Sequence, residues 1–190
     1  MTNTIHSLSF DHKTGEILFN DVSIPLNTPF SEFKNKLQLA KINYKDKGNS
    51  LHFDCYEQFT NPKKVLKTQP TKKLKKNYNI IEKHVIEKND VLHLVQVLEL
   101  DIELGFHFNS SGKFVGIFIR ITDRNEDYTS WDTYDIGKCY DTHLAWLNHK
   151  ITTCHKIDSS PNLSWLSGHL IQDKSENIYW SLNIKQKNRE

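Results

Sequence analysis

The sequence predicts an α+β domain built mostly of antiparallel β-sheet, with about two packed α-helices. Three observations carry this. Leu100, Ile102 and Leu104, then Ile117, Ile119 and Ile121, alternate with other residues on either side of the turn cluster Asn109 to Gly112, the pattern of a long hairpin. Leu163 to Ile171 and Ile178 to Ile184 flank Asp173 to Asn177 as a closing hairpin. Two apolar stripes fall at helical spacing: Phe30, Phe33 and Leu37, and Ile136, Tyr140, Leu144, Leu147 and Ile151.

Taken in order, Ser7 to Phe10 and Glu16 to Phe19 read as short strands joined by the turn Asp11 to Gly15. Thr28 is placed to cap the first helix, with Pro29 at its first position and Glu32 in its first turn. Lys45 to Asn49 reads as a loop. Leu51, Phe53 and Cys55 alternate with His52, Asp54 and Tyr56 as a strand. Residues 62–77 form a lysine-rich segment, read as an exposed loop within a single domain spanning 1–190. Ile80 to Ile86 and Val91 onward form a hairpin through Glu87 to Asp90, and the strand from Val91 runs long enough to need a bend or bulge. A four-residue loop at 109–112 sets Leu104 opposite Ile117, Ile102 opposite Ile119 and Asp101 opposite Arg120. A helix over Lys138 to His149 precedes the closing hairpin.

A formal net charge of +2 over 190 residues demands neither a nucleic acid nor a membrane surface. No apolar run reaches the length of a membrane span, and the first residues lack the pattern of a secretory signal. Cys55, Cys139 and Cys154 make no disulfide framework, so a reducing cytosol is the expected home.

Several clusters are candidates for chemistry. Glu99, Asp101 and Glu103 share a strand face and could hold a divalent cation or serve acid–base work. A solvated sheet face with Arg120 as counter-ion explains them more simply. Cys139 and His143 share a helix face, with Cys154 and His155 soon after. That set could hold zinc, but its spacing matches no familiar module, and buried thiols beside a boundary histidine are the simpler reading. The lysines between 63 and 76 could meet phosphates, yet no arginine and a single aromatic, Tyr78, accompany them. A solvated loop fits better, and nucleic acid is not the favoured partner. Trp131, Trp146, Trp165 and Trp180 could line a groove, though such residues more often pack a core. The sequence has no phosphate-cradling glycine loop and no nucleophile elbow.

The segment from Gly112 to the C-terminus resembles small bacterial immunity proteins found beside secreted polymorphic toxins of contact-dependent and type VI systems. The shared pattern is a strand ending in Phe-x-Ile-x-Ile-like residues, a loop with Ser130-Trp131, and a helix with His143 and Trp146-Leu147. A Trp165-x-x-Gly168 strand and an Asp173-Lys174 turn complete it, and Gly15 to Phe19 with Thr28 to Phe30 also fit. The resemblance implies a cytoplasmic protein without catalysis or cofactor that binds one toxin domain and blocks it. A cytosolic antidote implies a toxin acting there, such as a nuclease. The expected docking segment is Asp123, Glu126, Asp127, Tyr128, Trp131, Asp132, Tyr134 and Asp135. These interleaved carboxylates and aromatics suit a basic surface, and Arg124 is the only basic residue among them. The alternatives are a small cytosolic metal-dependent enzyme using Glu99, Asp101 and Glu103 or Cys139 and His143, and a nucleic-acid-binding accessory protein using residues 63–76.

Overall fold

A computed structural model describes residues 8–20, 22–66, 86–88, 91–125, 135–151, 157–175 and 177–185, with backbone alone in 61–66, 86–88 and 91–96. The chain begins with β1 (Leu8–Phe10), β2 (Ile17–Phe19) and β3 (Val22–Ile24), followed by helix α1 (Phe30–Leu39). Then come β4 (Lys45–Asp46), β5 (Ser50–Leu66), β6 (Ile86–Lys88), β7 (Val91–Phe108) and β8 (Phe114–Asp123). Helix α2 (Ile136–Lys150), β9 (Leu166–Gln172) and β10 (Ile178–Ile184) complete it. Among the described residues, β1-β2-β3 form one antiparallel sheet, and the order β4-β5-β7-β8-β10-β9 forms a second, with β6 also pairing β7. The fold is α+β and dominated by sheet, as the hydrophobic patterning predicts.

The larger sheet is covered on one face. Phe19 of β2 packs on Phe53 and Phe106, and Phe33 of α1 packs on Phe106, Phe108 and Phe114. Farther along, α2 lays Trp146 and Leu147 on the same face, both fully buried. Odd-numbered residues of β5 and even-numbered residues of β7 supply that face: Leu51, Phe53, Cys55 and Phe59, then Leu100, Ile102, Leu104 and Phe106. The two layers are stitched across the sequence. Phe10 bridges Ile151 just past α2, and the Trp165 indole N–H donates to the His12 carbonyl at 2.9 Å. Gly15, at φ +73°, sits where an added Cβ would lie 2.5 Å from the Trp165 ring.

Several local expectations need correction. First, the β7–β8 register lies two residues from the expected one. Leu104 faces Ile119, Ile102 faces Ile121, and Glu103 rather than Asp101 faces Arg120. Two single-residue slips add up to this. The turn closes on Asn109 and Lys113, whose N–H donates to Asn109 Oδ1 at 2.9 Å, and a bulge follows at His107/Phe108. Because the sum is even, the side chains beyond the bulge keep their expected faces, whereas Phe114, between turn and bulge, switches to the core face opposite Phe108. Second, Pro29 is itself the N-cap of α1 and Thr28 supplies no capping bond. The Phe30 N–H is satisfied instead by the Gly112 carbonyl of the hairpin turn, at 2.9 Å. Third, α2 is rolled from the expected stripe. It buries Thr142, His143, Trp146, Leu147 and Lys150, while Ile136, Tyr140 and Leu144 are only partly covered. Fourth, β5 runs through residues 62–66, paired with 91–95, so the lysine-rich loop does not begin at 62. Residues 67–77 lie outside the described set. Lys45 and Asp46 form a short strand instead of a loop, β3 was not anticipated, and β6 extends to Lys88, which pairs with Val91.

Candidate functional site

The opposite face of the larger sheet is formed by the alternating partners of the core residues. From β5 it carries His52, Asp54, Tyr56 and Gln58; from β7, Glu99, Asp101, Glu103 and His107; from β8, Phe118 and Arg120; from β10, Tyr179. Among the described residues nothing covers this face. That is the ordinary state of one side of an antiparallel sheet, but its composition is not that of an ordinary solvated surface.

Two of the three carboxylates, Asp101 and Glu103, are paired with arginines. Arg124, just past β8, donates from Nε and Nη2 to the two Asp101 oxygens at 2.8 and 2.7 Å. Its guanidinium lies 4.3 Å from the centroid of Tyr56, the ring that tops Asp101 from the neighbouring strand. The bond to Asp101 raises the Arg124 pKa. The Arg124 backbone N–H also donates to the Glu99 carbonyl at 2.8 Å, which fixes where the side chain starts. Arg120 pairs with Glu103 at 2.7 Å. A fork held to both carboxylate oxygens and stacked on a tyrosine is pre-organised, which is the distinguishing use of arginine. The expected Asp101–Arg120 pair is thus replaced by two pairs, one for each arginine.

Beside these lies a smaller cluster. Gly105 is flanked by His52, His107 and Phe118, all 3.4 Å from where a Cβ would stand. The two imidazoles meet edge to face with centroids 6.2 Å apart. Burial lowers the pKa of His52, helped by Lys47, and burial also lowers that of His107, helped by His52. Ser50 Oγ lies 3.2 Å from His52 Nε2, while His52 Nδ1 has no hydrogen-bond partner and stands 4.0 Å from Glu103. Phe118 packs on Tyr179 with ring centroids at 5.1 Å.

The other expected sites resolve differently. Asp123 is 5% exposed and its Oδ1 accepts from the Asn125 backbone at 3.0 Å, with Lys138 Nζ 3.9 Å from Oδ2. It sits beside the start of α2 with little of its surface exposed. Asp135 is the N-cap of α2, accepting from the Lys138 N–H at 2.9 Å. Glu126, Asp127, Tyr128, Trp131, Asp132 and Tyr134 lie outside the described residues.

The pair Cys139 and His143 is not arranged as metal ligands. His143 Nε2 accepts from the Ile121 N–H at 3.0 Å, and Nδ1 donates to the Cys139 carbonyl at 2.8 Å. Both ring nitrogens are therefore committed to backbone, and burial pushes the imidazole down to about 4. Cys154 and His155 lie outside the described residues. Among those described, no group of three or more His, Cys, Asp and Glu could hold a metal ion. Cys55 is buried on the core face, and burial pushes its thiol up to about 12, which leaves it inert as a nucleophile. Trp146, Trp165 and Trp180 are core residues whose indole N–H groups donate to Glu57, the His12 carbonyl and the His143 carbonyl. All three are buried in the core; Trp131 lies outside the described residues.

Sequence reasoning missed Tyr56 with Arg124, the His52–His107 pair and the Phe118–Tyr179 contact. The signal was present as alternation: every residue on this face sits at the polar phase of a strand. What alternation leaves open is which strands lie side by side. Among the described residues no helix is long and apolar enough to cross a membrane. No family model, curated protein or solved structure matches the chain.

Proposed function

We propose that this chain is a binding module: a bacterial immunity protein, acting in the cytoplasm, that docks on a cognate secreted toxin domain of a contact-dependent or type VI system and occludes it. The observation that carries this is the sheet face that no described residue covers, where Arg124 binds Asp101 and lies over Tyr56, Arg120 pairs with Glu103, and Phe118 packs on Tyr179. Tyrosine and arginine in fixed, partly desolvated settings are the side chains that dominate protein–protein binding energy. Fixing them in the free protein removes part of the entropy loss on association. The mixture of charges favours a protein partner over a polyanion, because Asp54, Asp101 and Glu103 would repel phosphates that Arg120 and Arg124 attract.

A nuclease acting in the cytosol is the toxin class this reading favours. Such enzymes present basic surfaces to phosphates, and the interval from Asp123 to Asp135 is rich in acidic residues. In this reading the protein catalyses nothing and needs no cofactor. The test is co-expression with the product of the neighbouring reading frame. Co-purification as a stoichiometric complex, with relief of that product's toxicity, is the expected result. Toxicity undiminished and no complex formed would overturn the reading.

A further inference from the structure

We infer that the free edge of β5, residues 54–60, receives an extended strand of the toxin domain. This rests on the immunity reading and says where and how the partner engages. The edge can be derived from the ladders. The Ser50 carbonyl accepts from the Lys47 N–H on the β4 side, whereas the Asn49 carbonyl accepts from the Phe108 N–H on the β7 side. The β5–β7 register is unbroken from Ser50 to Leu66. Even-numbered residues therefore point their N–H and C=O groups away from β7 throughout. β4 covers this edge only as far as His52. Among the described residues nothing pairs with the outward groups of Asp54, Tyr56, Gln58 and Thr60.

Both ends of this window are closed. β4 stops it at one side. At the other, Pro62 is even-numbered, so the N–H it lacks is one that would have pointed outward, the place where a strand tolerates proline. The far edge of the sheet is treated differently. There the β9 amides of Gly168 and Leu170 donate to the Pro161 and Ser159 carbonyls at 3.2 and 2.9 Å. Exposed edges invite pairing and are ordinarily blunted. Between Asp54 and Thr60 there is no proline and no bulge, and no described segment covers the edge.

The window also holds an anchor. Tyr56 lies at its middle, 38% exposed, with one ring face held by Arg124 and the Asp101 pair behind it. An added strand would set alternate side chains beside Asp54, Tyr56 and Gln58. Asp54 is already paired with Lys45 of β4, so the fitting occupant is a partner strand with an apolar residue beside Tyr56 and a polar one beside Gln58. Main-chain bonds would supply affinity, and Tyr56 the selectivity. Self-pairing centred on the window would set Tyr56 opposite Gln58 and Asp54 opposite Thr60, leaving the ring without an apolar neighbour directly across. That argues for a foreign strand over a second copy.

The experiment uses the full-length protein and the toxin domain of the neighbouring reading frame, inactivated so that it can be purified. In the free protein the amides of Tyr56, Gln58 and Thr60 should exchange rapidly with solvent, and those of Cys55, Glu57 and Phe59 slowly. Adding the toxin domain should slow the first set at least tenfold. Gln58→Pro, which removes one outward N–H and no bond to β7, should weaken binding at least tenfold. Gln58→Ala, which keeps that N–H, should bind within about twofold of the parent. Tyr56→Ala should speed dissociation. If the toxin domain binds but these amides stay unprotected and the variants bind normally, the edge inference falls and the immunity reading stands. If the toxin domain binds no form of the protein, both fall. Dimerisation of the free protein, with the same amides already protected, would put a second copy on the edge and also overturn the inference.

Discussion

His143 is a titratable residue used as a structural one. Its ring substitutes for a strand partner at Ile121, where the ladder from β10 ends with Tyr179 opposite Arg120. Only the neutral ring can accept that N–H. The folded pKa of about 4 lies below the ordinary histidine value of 6.5, so the unfolded chain takes up the proton first as pH falls. Stability is full above about pH 6.5 and is lost progressively down to about pH 4. Linkage puts the loss from this group at about 2 kcal/mol by pH 5. Urea unfolding at pH 7.5 and pH 5 should show it. His143→Phe should lower stability at pH 7.5 by about 1–3 kcal/mol through the orphaned Ile121 amide and flatten the pH dependence. A second residue-scale case is Glu57, on the core face of β5. It accepts from Lys150 Nζ at 2.6 Å and from Trp146 Nε1 at 3.0 Å, with side chains 18% exposed at Glu57 and 8% at Lys150. Lys150→Met leaves a buried carboxylate without its cation and should cost about 3–5 kcal/mol. Adding Glu57→Gln should recover much of that in the same unfolding assay, because the remaining partner, Trp146, needs only an acceptor. A double variant no more stable than the single one would show the pair to be uncoupled.

At the scale of elements, the β7–β8 hairpin shows what alternation specifies and what it leaves open. Period-two patterning assigns each residue to a face, and Leu100, Ile102, Leu104, Ile117, Ile119 and Ile121 are all buried as expected. It cannot assign a partner across the strand, because any even slip preserves the faces. The two-residue offset follows from the Asn109-centred turn and the bulge, and it redirects Arg120 to Glu103 and Arg124 to Asp101. In α2 the misjudged stripe has another cause. Counting apolar residues undervalues His143, Trp146 and Lys150, whose polar atoms find partners inside, and overvalues Tyr140 and Leu144. Ile119 is fully buried between β7 and β10, opposite Leu104 and Trp180. Ile119→Asp would place an unpaired carboxylate in that layer and should abolish cooperative thermal unfolding. A normal melting curve would contradict this packing.

For the molecule as a whole, the fold class was legible because a sheet with one wet face writes its pattern into every strand. The candidate site was less so. Of the eight residues expected to meet a partner, Asp123 is buried beside α2 and Asp135 caps it, and the other six lie outside the described residues. The face now proposed draws on five segments, and their adjacency comes from strand order, which no local pattern encodes. The cysteines give a whole-molecule test. Cys55 is buried and free and the chain has three cysteines; on the cytoplasmic reading the denatured, unreduced protein should titrate as three thiols. A value of one would establish a disulfide and count against a cytoplasmic home.

Trp165 joins the beginning of the chain to its end. Its ring stacks on Phe10 and its N–H holds the His12 carbonyl. Synthesis proceeds in the other direction: β2 can lean on Phe33, Phe53 and Phe106 as they emerge, but Phe10 and His12 lack their Trp165 partner until residue 165 has left the ribosome. β10, inserted between β8 and β9, arrives later still. Contacts this distant in sequence slow folding. A nascent copy is therefore not yet a working one, and a premature stop before Ile178 would lose β10 from the middle of the larger sheet, leaving β8 and β9 without the strand that joins them.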